Sequence, residues 1–323
     1  MPHYPCMVPP PPTSALAPVN AAHCRVVFGA ASGMMRNGPL GPHLAVALPV
    51  FGGEAHEELL ASAEVTPLCE GGAVFRTDTR VAGFVLAPME ADLEAAARDL
   101  YVRIFAAAHG HHLYRVWNYV PQINAVEGDL ENYRRFCRGR SVAFEQHFGD
   151  SFRRQLPAAS AVGTPTGPLA AAFVAGLTAP RHCENPRQVP AFEYPPAYGP
   201  RPPTFSRATL VSEDGRHELF ISGTAAIRGH ATVAAHDLAA QLACTRDNLH
   251  VIAATAGAGA DFGAADGWQR TLKVYVRRDT DLLQVRNDLE RHLLRPGDEA
   301  TYLQADLCRA ELLVEIEAVL SRQ

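Results

Sequence analysis

Tyr302-Leu303-Gln304-Ala305-Asp306-Leu307-Cys308, joined through a short polar link to Leu312-Leu313-Val314-Glu315-Ile316-Glu317-Ala318-Val319, reads as the two strands of a hairpin. In the second strand Leu312, Val314 and Ile316 alternate with Leu313, Glu315 and Glu317, so one face is apolar and the other carries two carboxylates. With a four-residue loop at 309–312, Cys308 pairs with Leu313 and Asp306 with Glu315. A three-residue loop puts Cys308 on the apolar face instead. Taken alone, the pattern also describes an ordinary strand whose two acids face water.

Upstream, strand and helix signals alternate. Residues 219–227 predict a strand, 230–256 a helix with Ala235, Leu238, Leu242, Leu249 and Ile252 in register, 271–276 a strand and 281–294 a helix. An earlier part of the chain has the same order. It begins with a strand near 81–86 and a helix opened by Pro88, with Leu93, Ala97, Leu100, Ile104 and Ala108 on one stripe, that closes at Gly110. A strand over 114–120 and a helix from about 129 to 148, stopped by Gly149, complete it. An apolar segment follows at 169–177, and weaker strand signals lie at 24–30 and 44–51. Two copies of one β-α-β-α-β order predict an α+β protein built from a duplicated unit, each mixed sheet covered by helices on one face. Between the copies, residues 178–207 are Pro-rich yet carry Tyr194, Tyr198, Arg201, Phe205 and Arg207, which predicts a segment packed on a surface rather than a free linker.

The 323 residues suffice for two cores, and 47% hydrophobic with 20% charged residues is ordinary for a soluble globular protein. A net charge of −5, with no basic run longer than two residues, argues against nucleic acid or an anionic membrane as partner and for a small molecule. No apolar stretch approaches the ~18 residues of a membrane span. The Pro-rich start of the chain has no basic region followed by an apolar run, as a signal peptide would. Seven cysteines without a Cys-x-x-Cys spacing suit free thiols, and the expected location is the cytoplasm. Basic residues are 28 Arg and one Lys, Lys273. GC-rich coding accounts for that bias, although guanidinium forks also suit bidentate recognition of carboxylates.

On the second predicted helix Leu130, Tyr133, Cys137, Arg140 and Phe144 share the apolar face, which places an arginine inside. A buried guanidinium requires an anion, either a protein carboxylate such as Glu145 or Glu193, or the carboxylate of a ligand. His109, His111 and His112 cluster at a helix C-terminus, where histidine meets free carbonyls, and no Asp or Cys stands at ligand spacing beside them. No metal and no cofactor is expected. The chain lacks Gly-x-Ser-x-Gly, and the glycines of 256–263 do not follow a strand, so neither a nucleophilic serine nor a phosphate loop is indicated.

Five pieces taken together resemble the chorismatases: Trp117-Asn118-Tyr119-Val120-Pro121-Gln122-Ile123-Asn124; Glu131-Asn132-Tyr133-Arg134-Arg135-Phe136-Cys137-Arg138-Gly139-Arg140; Tyr198-Gly199-Pro200-Arg201; Ile221-Ser222-Gly223-Thr224-Ala225; and the opening stretch with its Cys308 and Leu313-Val314-Glu315-Ile316-Glu317. The resemblance runs from about residue 75 to the end. It implies a fold like the RidA/YjgF group, in agreement with the duplicated pattern. The corresponding division is a flexible leader (1–20), an N-terminal degenerate RidA-like domain (21–177), a Pro-rich connection (178–210) and a C-terminal catalytic domain (211–323).

The resemblance also implies an activity: cleavage of the enolpyruvyl ether of chorismate to pyruvate and either a hydroxybenzoate or a cyclohexadiene diol. A vinyl ether is cleaved by protonating its methylene carbon, which requires a positioned acid whose pKa is raised toward neutrality. Glu315 matches the family's catalytic glutamate. Two substrate carboxylates call for arginines, with Arg140 and Arg201 first and Arg207 and Tyr133 behind them. Tyr194, Ala225 and Cys308 complete the expected substrate-binding set. Family members that hydrolyse chorismate tend to have alanine after Ser-Gly-Thr, and those making 3-hydroxybenzoate tend to combine a glycine there with the cysteine. This chain has Ala225 and Cys308 together. On account of Cys308 the expected product is 3-hydroxybenzoate with some 4-hydroxybenzoate, the alternative being hydrolysis to the dihydroxy diene acid. An imine deaminase of the plain RidA kind, about half as long, and a non-catalytic binding protein are the competing readings. Whether the chain works as a monomer or a homo-oligomer stays open.

Overall fold

In the computed structural model, which describes residues 22–68, 71–88, 92–264 and 267–323, the apolar runs close into two mixed β-sheets whose inner faces share one core. The expected leader and the thiols of Cys6 and Cys69 lie outside the described residues. The other five cysteines are free thiols. No helix among the described residues is long and apolar enough to cross a membrane.

The first half of the chain runs β1 (Ala22–Phe28), β2 (Gly33–Met35), β3 (His43–Val46), β4 (Val50–Gly52), β5 (His56–Pro67), β6 (Gly72–Arg76), β7 (Arg80–Leu86), α1 (Leu93–Ala107), β8 (His112–Pro121), a small hairpin β9 (Val126–Glu127) and β10 (Leu130–Glu131), α2 (Asn132–Phe148), β11 (Ala158–Thr164) and β12 (Ala170–Gly176). The second half runs β13 (Arg181–Cys183), β14 (Ala208–Glu213), β15 (Arg216–Thr224), a small hairpin β16 (Ile227–Arg228) and β17 (Ala231–Thr232), α3 (Leu238–Ala256), β18 (Gln269–Val276), α4 (Leu282–His292), β19 (Glu299–Gln304) and β20 (Val314–Arg322). The first sheet has the order β11-β8-β12-β7-β6-β5-β1-β3-β2 and the second β13-β14-β15-β20-β18-β19-β4. Strand β4 thus crosses from the first half to the edge of the second sheet, so a division at 177/178 leaves one strand on the far side.

The repeat is present strand for strand. β11-β8-β12-β7-β6 and β19-β18-β20-β15-β14 follow the same order, with the first pair parallel and the other three antiparallel. Helices α1 and α2 cover the outer face of one sheet and α3 and α4 that of the other, each pair over its own apolar cluster. Local chemistry sets their ends. Asp92 caps α1 by accepting from Ala95 N at 3.0 Å, so the helix starts beyond Pro88. Asp237 caps α3 through Ala240 N, and left-handed Gly257 ends it. α1 and α2 touch closely because Gly139 has no side chain; a Cβ there would lie 2.0 Å from Glu94 O.

The hairpin expected at the end of the chain does not form. β19 lies parallel to β18, β20 lies antiparallel on the other side of β18, and residues 305–313 carry the chain across the end of that strand. Glu315 therefore pairs with Tyr275 rather than Asp306, and neither proposed loop length applies. A period-two pattern fixes which face a side chain takes but not which strand is its neighbour, and closeness in sequence favoured the wrong one. From Val314 on, the faces are as expected, with Val314 and Ile316 meeting the helices and Glu315 and Glu317 pointing between the sheets, whereas Leu312 and Leu313, which precede the strand, join the opposite clusters. The two acids are not solvated, each being 3% exposed.

Candidate active site

Glu315 stands near the start of the strand at the centre of the second sheet, and the strand beside it is irregular at that level. Ile221 pairs with Ala318 but Thr224 with Ile316, so β15 carries a bulge at Ser222 and Gly223. A Cβ on Gly223 would lie 2.1 Å from Glu315 Oε1, so glycine is what lets the carboxyl rest against the backbone there. The bulge also reaches the first sheet. Gly223 N donates to Ser160 Oγ at 2.9 Å, and Ala159 N donates to Ser222 Oγ at 2.8 Å.

One turn of the pleat away, Glu317 has a different environment. Its Oε2 accepts from Arg115 Nη2 at 2.7 Å and from the Ser160 hydroxyl, and its Oε1 accepts from Trp117 Nε1 at 2.7 Å with Lys273 Nζ also 2.7 Å away. The chain's only lysine thus serves this carboxylate and Glu57 together. Burial by itself would raise the Glu317 carboxyl, but Lys273 and Arg115 outweigh it and hold it at about 2. Glu315 has no such donors among the described residues. Burial first, and then repulsion from Glu317, push it up to about 8, against the pull of Arg115, Arg207 and Arg277.

Glu315 lines a cavity of about 200 Å³ together with Tyr133, Tyr194, Arg207, Ala225 and Cys308, so six of the eight expected site residues converge. Cys308 faces this cavity. Burial, and after it the nearby Glu315, push its thiol well above the usual range, so it is present as a neutral group rather than a thiolate. Arg207 donates to Tyr194 Oη at 2.7 Å and to Val189 O at 3.2 Å, and its guanidinium lies 5.0 Å from the Phe205 ring centre. The Pro-rich connection, through Tyr194, Tyr198, Pro203, Phe205 and Arg207, forms one wall.

Arg140 and Arg201 are the two that do not line the cavity. Arg140 is buried on α2 with its guanidinium over the rings of Tyr101 (4.9 Å) and Phe144 (5.6 Å), and its Nε and Nη2 have no partner among the described residues. Aromatic faces stand where an anion was expected. Neither Glu145 nor Glu193 pairs with it; Glu145 is instead the partner of Arg201, in a half-exposed ion pair.

The sequence reading passed over four residues that the site depends on. Arg309 lines the cavity with its guanidinium 4.2 Å from the Tyr198 ring centre and 5.5 Å from that of Tyr194, and it donates to Thr232 Oγ1 and His230 O at 2.9 Å each. Gly223 lines the cavity while Ser160 accepts its backbone N–H from behind, and Glu317 had been noted only as a companion of Glu315. Ser160, set among alanines in β11, gives no signal of its own.

Comparison with known proteins points the same way. A family model described as chorismatase FkbO/Hyg5-like, N-terminal, matches residues 57–175. A 3-hydroxybenzoate synthase of Streptomyces hygroscopicus is 39% identical over 239 residues, 69% of this chain and 68% of that protein. A chorismatase of Streptomyces rapamycinicus is 37% identical over 265 residues, 78% of either chain. The crystal structure of a chorismatase superposes with a TM-score of 0.81 at 30% identity, covering 95% of both chains.

Proposed function

Because this chain belongs to the chorismatase family, we propose that it cleaves the enolpyruvyl ether of chorismate, releasing pyruvate, with Glu315 as the proton donor. The observation that carries this reading is a buried glutamate, its carboxyl pushed up to about 8, in the wall of a cavity of about 200 Å³. Carbon is a reluctant base, so the acid must be both fixed in place and still protonated at neutral pH. Arg207 and Arg309 are the cations that can meet the two substrate carboxylates, and Arg134 lies at the same cavity; they replace Arg140 and Arg201 in that role. Tyr133 and Tyr194 supply flat apolar surface for the ring.

Glu315 gives its proton to the methylene carbon, whose new C–H bond uses the C=C electron pair and leaves an oxocarbenium ion. On the aromatising route an oxygen of the substrate itself attacks the ring carbon. The ether C–O bond at that carbon breaks, its electron pair stays on oxygen to complete the ketone of pyruvate, and the proton of the attacking hydroxyl restores Glu315. The attacking oxygen's original C–O bond then breaks, the attacked carbon loses its hydrogen to leave the ring aromatic, and that proton ends on the phenol oxygen. Chorismate then yields one hydroxybenzoate and one pyruvate with no water consumed. On the hydrolytic route water adds to the oxocarbenium carbon, and the ring leaves as the dihydroxy diene acid.

We favour the aromatising route to 3-hydroxybenzoate, with some 4-hydroxybenzoate from a competing elimination. A neutral thiol beside the acid is a feature that can orient the ring without taking its proton. Ala225, which lines the same cavity, favours the hydrolytic alternative. Incubating the purified protein with chorismate and following the products by NMR tests both levels. Absence of pyruvate would sink the activity, and a dominant diene acid with no aromatic ring would reverse the product assignment.

A further inference from the structure

The connection between β19 and β20, residues 305–313, is wrapped around a single guanidinium. Arg277, at the end of β18, donates from Nε to Leu312 O at 2.6 Å and from Nη2 to Arg309 O at 2.9 Å, with Leu307 O at 3.4 Å. Its Nη1 meets Asp306 Oδ1 at 2.5 Å, and both terminal nitrogens lie 3.2 Å from Asn124 Oδ1. Asn124 in turn donates to Leu307 O at 3.0 Å. Three backbone carbonyls, a carboxylate and a side-chain amide thus share one planar fork whose side chain is 13% exposed. Arg277 itself does not line the cavity, whereas Cys308, Arg309, Ala310, Glu311 and Leu312, the residues it gathers, do.

We propose that Arg277 is a positioning residue that fixes where Cys308 and Arg309 stand relative to Glu315, and that it thereby sets how the reaction divides between aromatic and diene products. This rests on the chorismate-cleaving reading above. The physical reason is that Leu307, Arg309 and Leu312 turn their carbonyls inward to the fork, so the side chains between them have little freedom. Lysine keeps the charge but offers a point donor on a flexible stem, unable to hold three carbonyls at fixed angles. A small displacement of a group beside a reacting centre changes relative rates by on the order of 10- to 100-fold.

The experiment compares wild type, Arg277→Lys, Asn124→Ala, Cys308→Ala and the Arg277→Lys/Cys308→Ala double variant. It reads the aromatic-to-diene product ratio by NMR, kcat and KM separately, and the rate at which iodoacetamide alkylates Cys308, located by peptide mass spectrometry. The expected result is a product ratio moved several-fold in Arg277→Lys with folding retained, a faster alkylation of Cys308, and no further change in ratio when Cys308 is already alanine. Should Arg277→Lys fail to fold, Asn124→Ala, which removes one side of the clasp, carries the same expectations with smaller size. Pyruvate release with an unmoved ratio and unmoved Cys308 reactivity overturns the positioning role. No pyruvate from wild type overturns the functional reading and the product division with it, and in that case the alkylation rates alone decide whether the clasp holds Cys308.

Discussion

Glu315 and Glu317 stand two residues apart on one face of β20, each 3% exposed, yet one keeps its proton up to about pH 8 and the other releases it near pH 2. The difference comes from donors, not burial. Four groups are spent on Glu317, and its settled negative charge then helps hold the proton on its neighbour.

Replacement of the acid is the direct consequence to measure. Glu315→Gln should lower kcat by on the order of 100-fold or more with KM nearly unchanged, since the amide keeps the shape but has no proton to give to carbon. Steady-state pyruvate release checks this, and near-wild-type turnover would remove Glu315 from the mechanism.

The pH profile follows from the same residue. A general acid works only while protonated, so kcat should be level through neutrality and fall as pH rises through about 8. Glu317→Gln should move that limb to lower pH, because it removes a repelling charge and frees Arg115 and Lys273 to attract the Glu315 carboxylate. A limb that stays in place in this variant would show that Glu317 does not set the acid.

Stability should respond to the two carboxylates in opposite senses. Glu315 is raised above its ordinary 4.5, so the unfolded chain ionises first and folding stability falls as pH climbs from about 4.5 to about 8. Glu317 is depressed, so its contribution is complete above 4.5 and is lost as pH drops toward about 2. Thermal melts of wild type and Glu315→Gln across pH 5 to 8 should diverge, the variant giving the flatter curve.

Gly223→Ala isolates geometry from chemistry. The added methyl would stand 2.1 Å from Glu315 Oε1, and the end of that side chain must give way. A fall in kcat of ~10-fold or more with a Tm loss of only a few degrees is expected, comparable to other losses from misplacement alone. Full activity in a folded Gly223→Ala protein would mean that the carboxyl does not work from this position.

How much of this was legible beforehand depended on whether the pattern was local. The helices, the repeat and the shared face of the two acids of β20 show in spacing alone, because a period of two or 3.6 is written into consecutive residues, whereas the burial of that face does not. The partner of β20 does not, and neither do β5, β11 and β14, whose mixed residues follow no clean apolar period of two. Glu315, Cys308 and Ala225 could be chosen because they lie in motifs. Arg140 and Arg201 lie in such motifs too, but their carboxylate-binding role was assigned on charge, and the fold places one under aromatic rings and the other against Glu145. Ser160 and Arg309 acquire meaning only through contacts with Glu317 and Tyr198.

The two copies of the strand order are unequal in one respect that governs stoichiometry. Where the second copy reads Val314-Glu315-Ile316-Glu317 at its central strand, the matching strand β12 of the first reads Ala170-Ala171-Ala172-Phe173-Val174-Ala175-Gly176 and has no acid at all. A scaffold with twofold internal repetition thus carries the Glu315–Glu317 pair in only one of its two central strands. The alanine strand gives its half to the shared core instead. Saturation of the protein with a non-cleavable chorismate analogue should accordingly reach one molecule per chain rather than two.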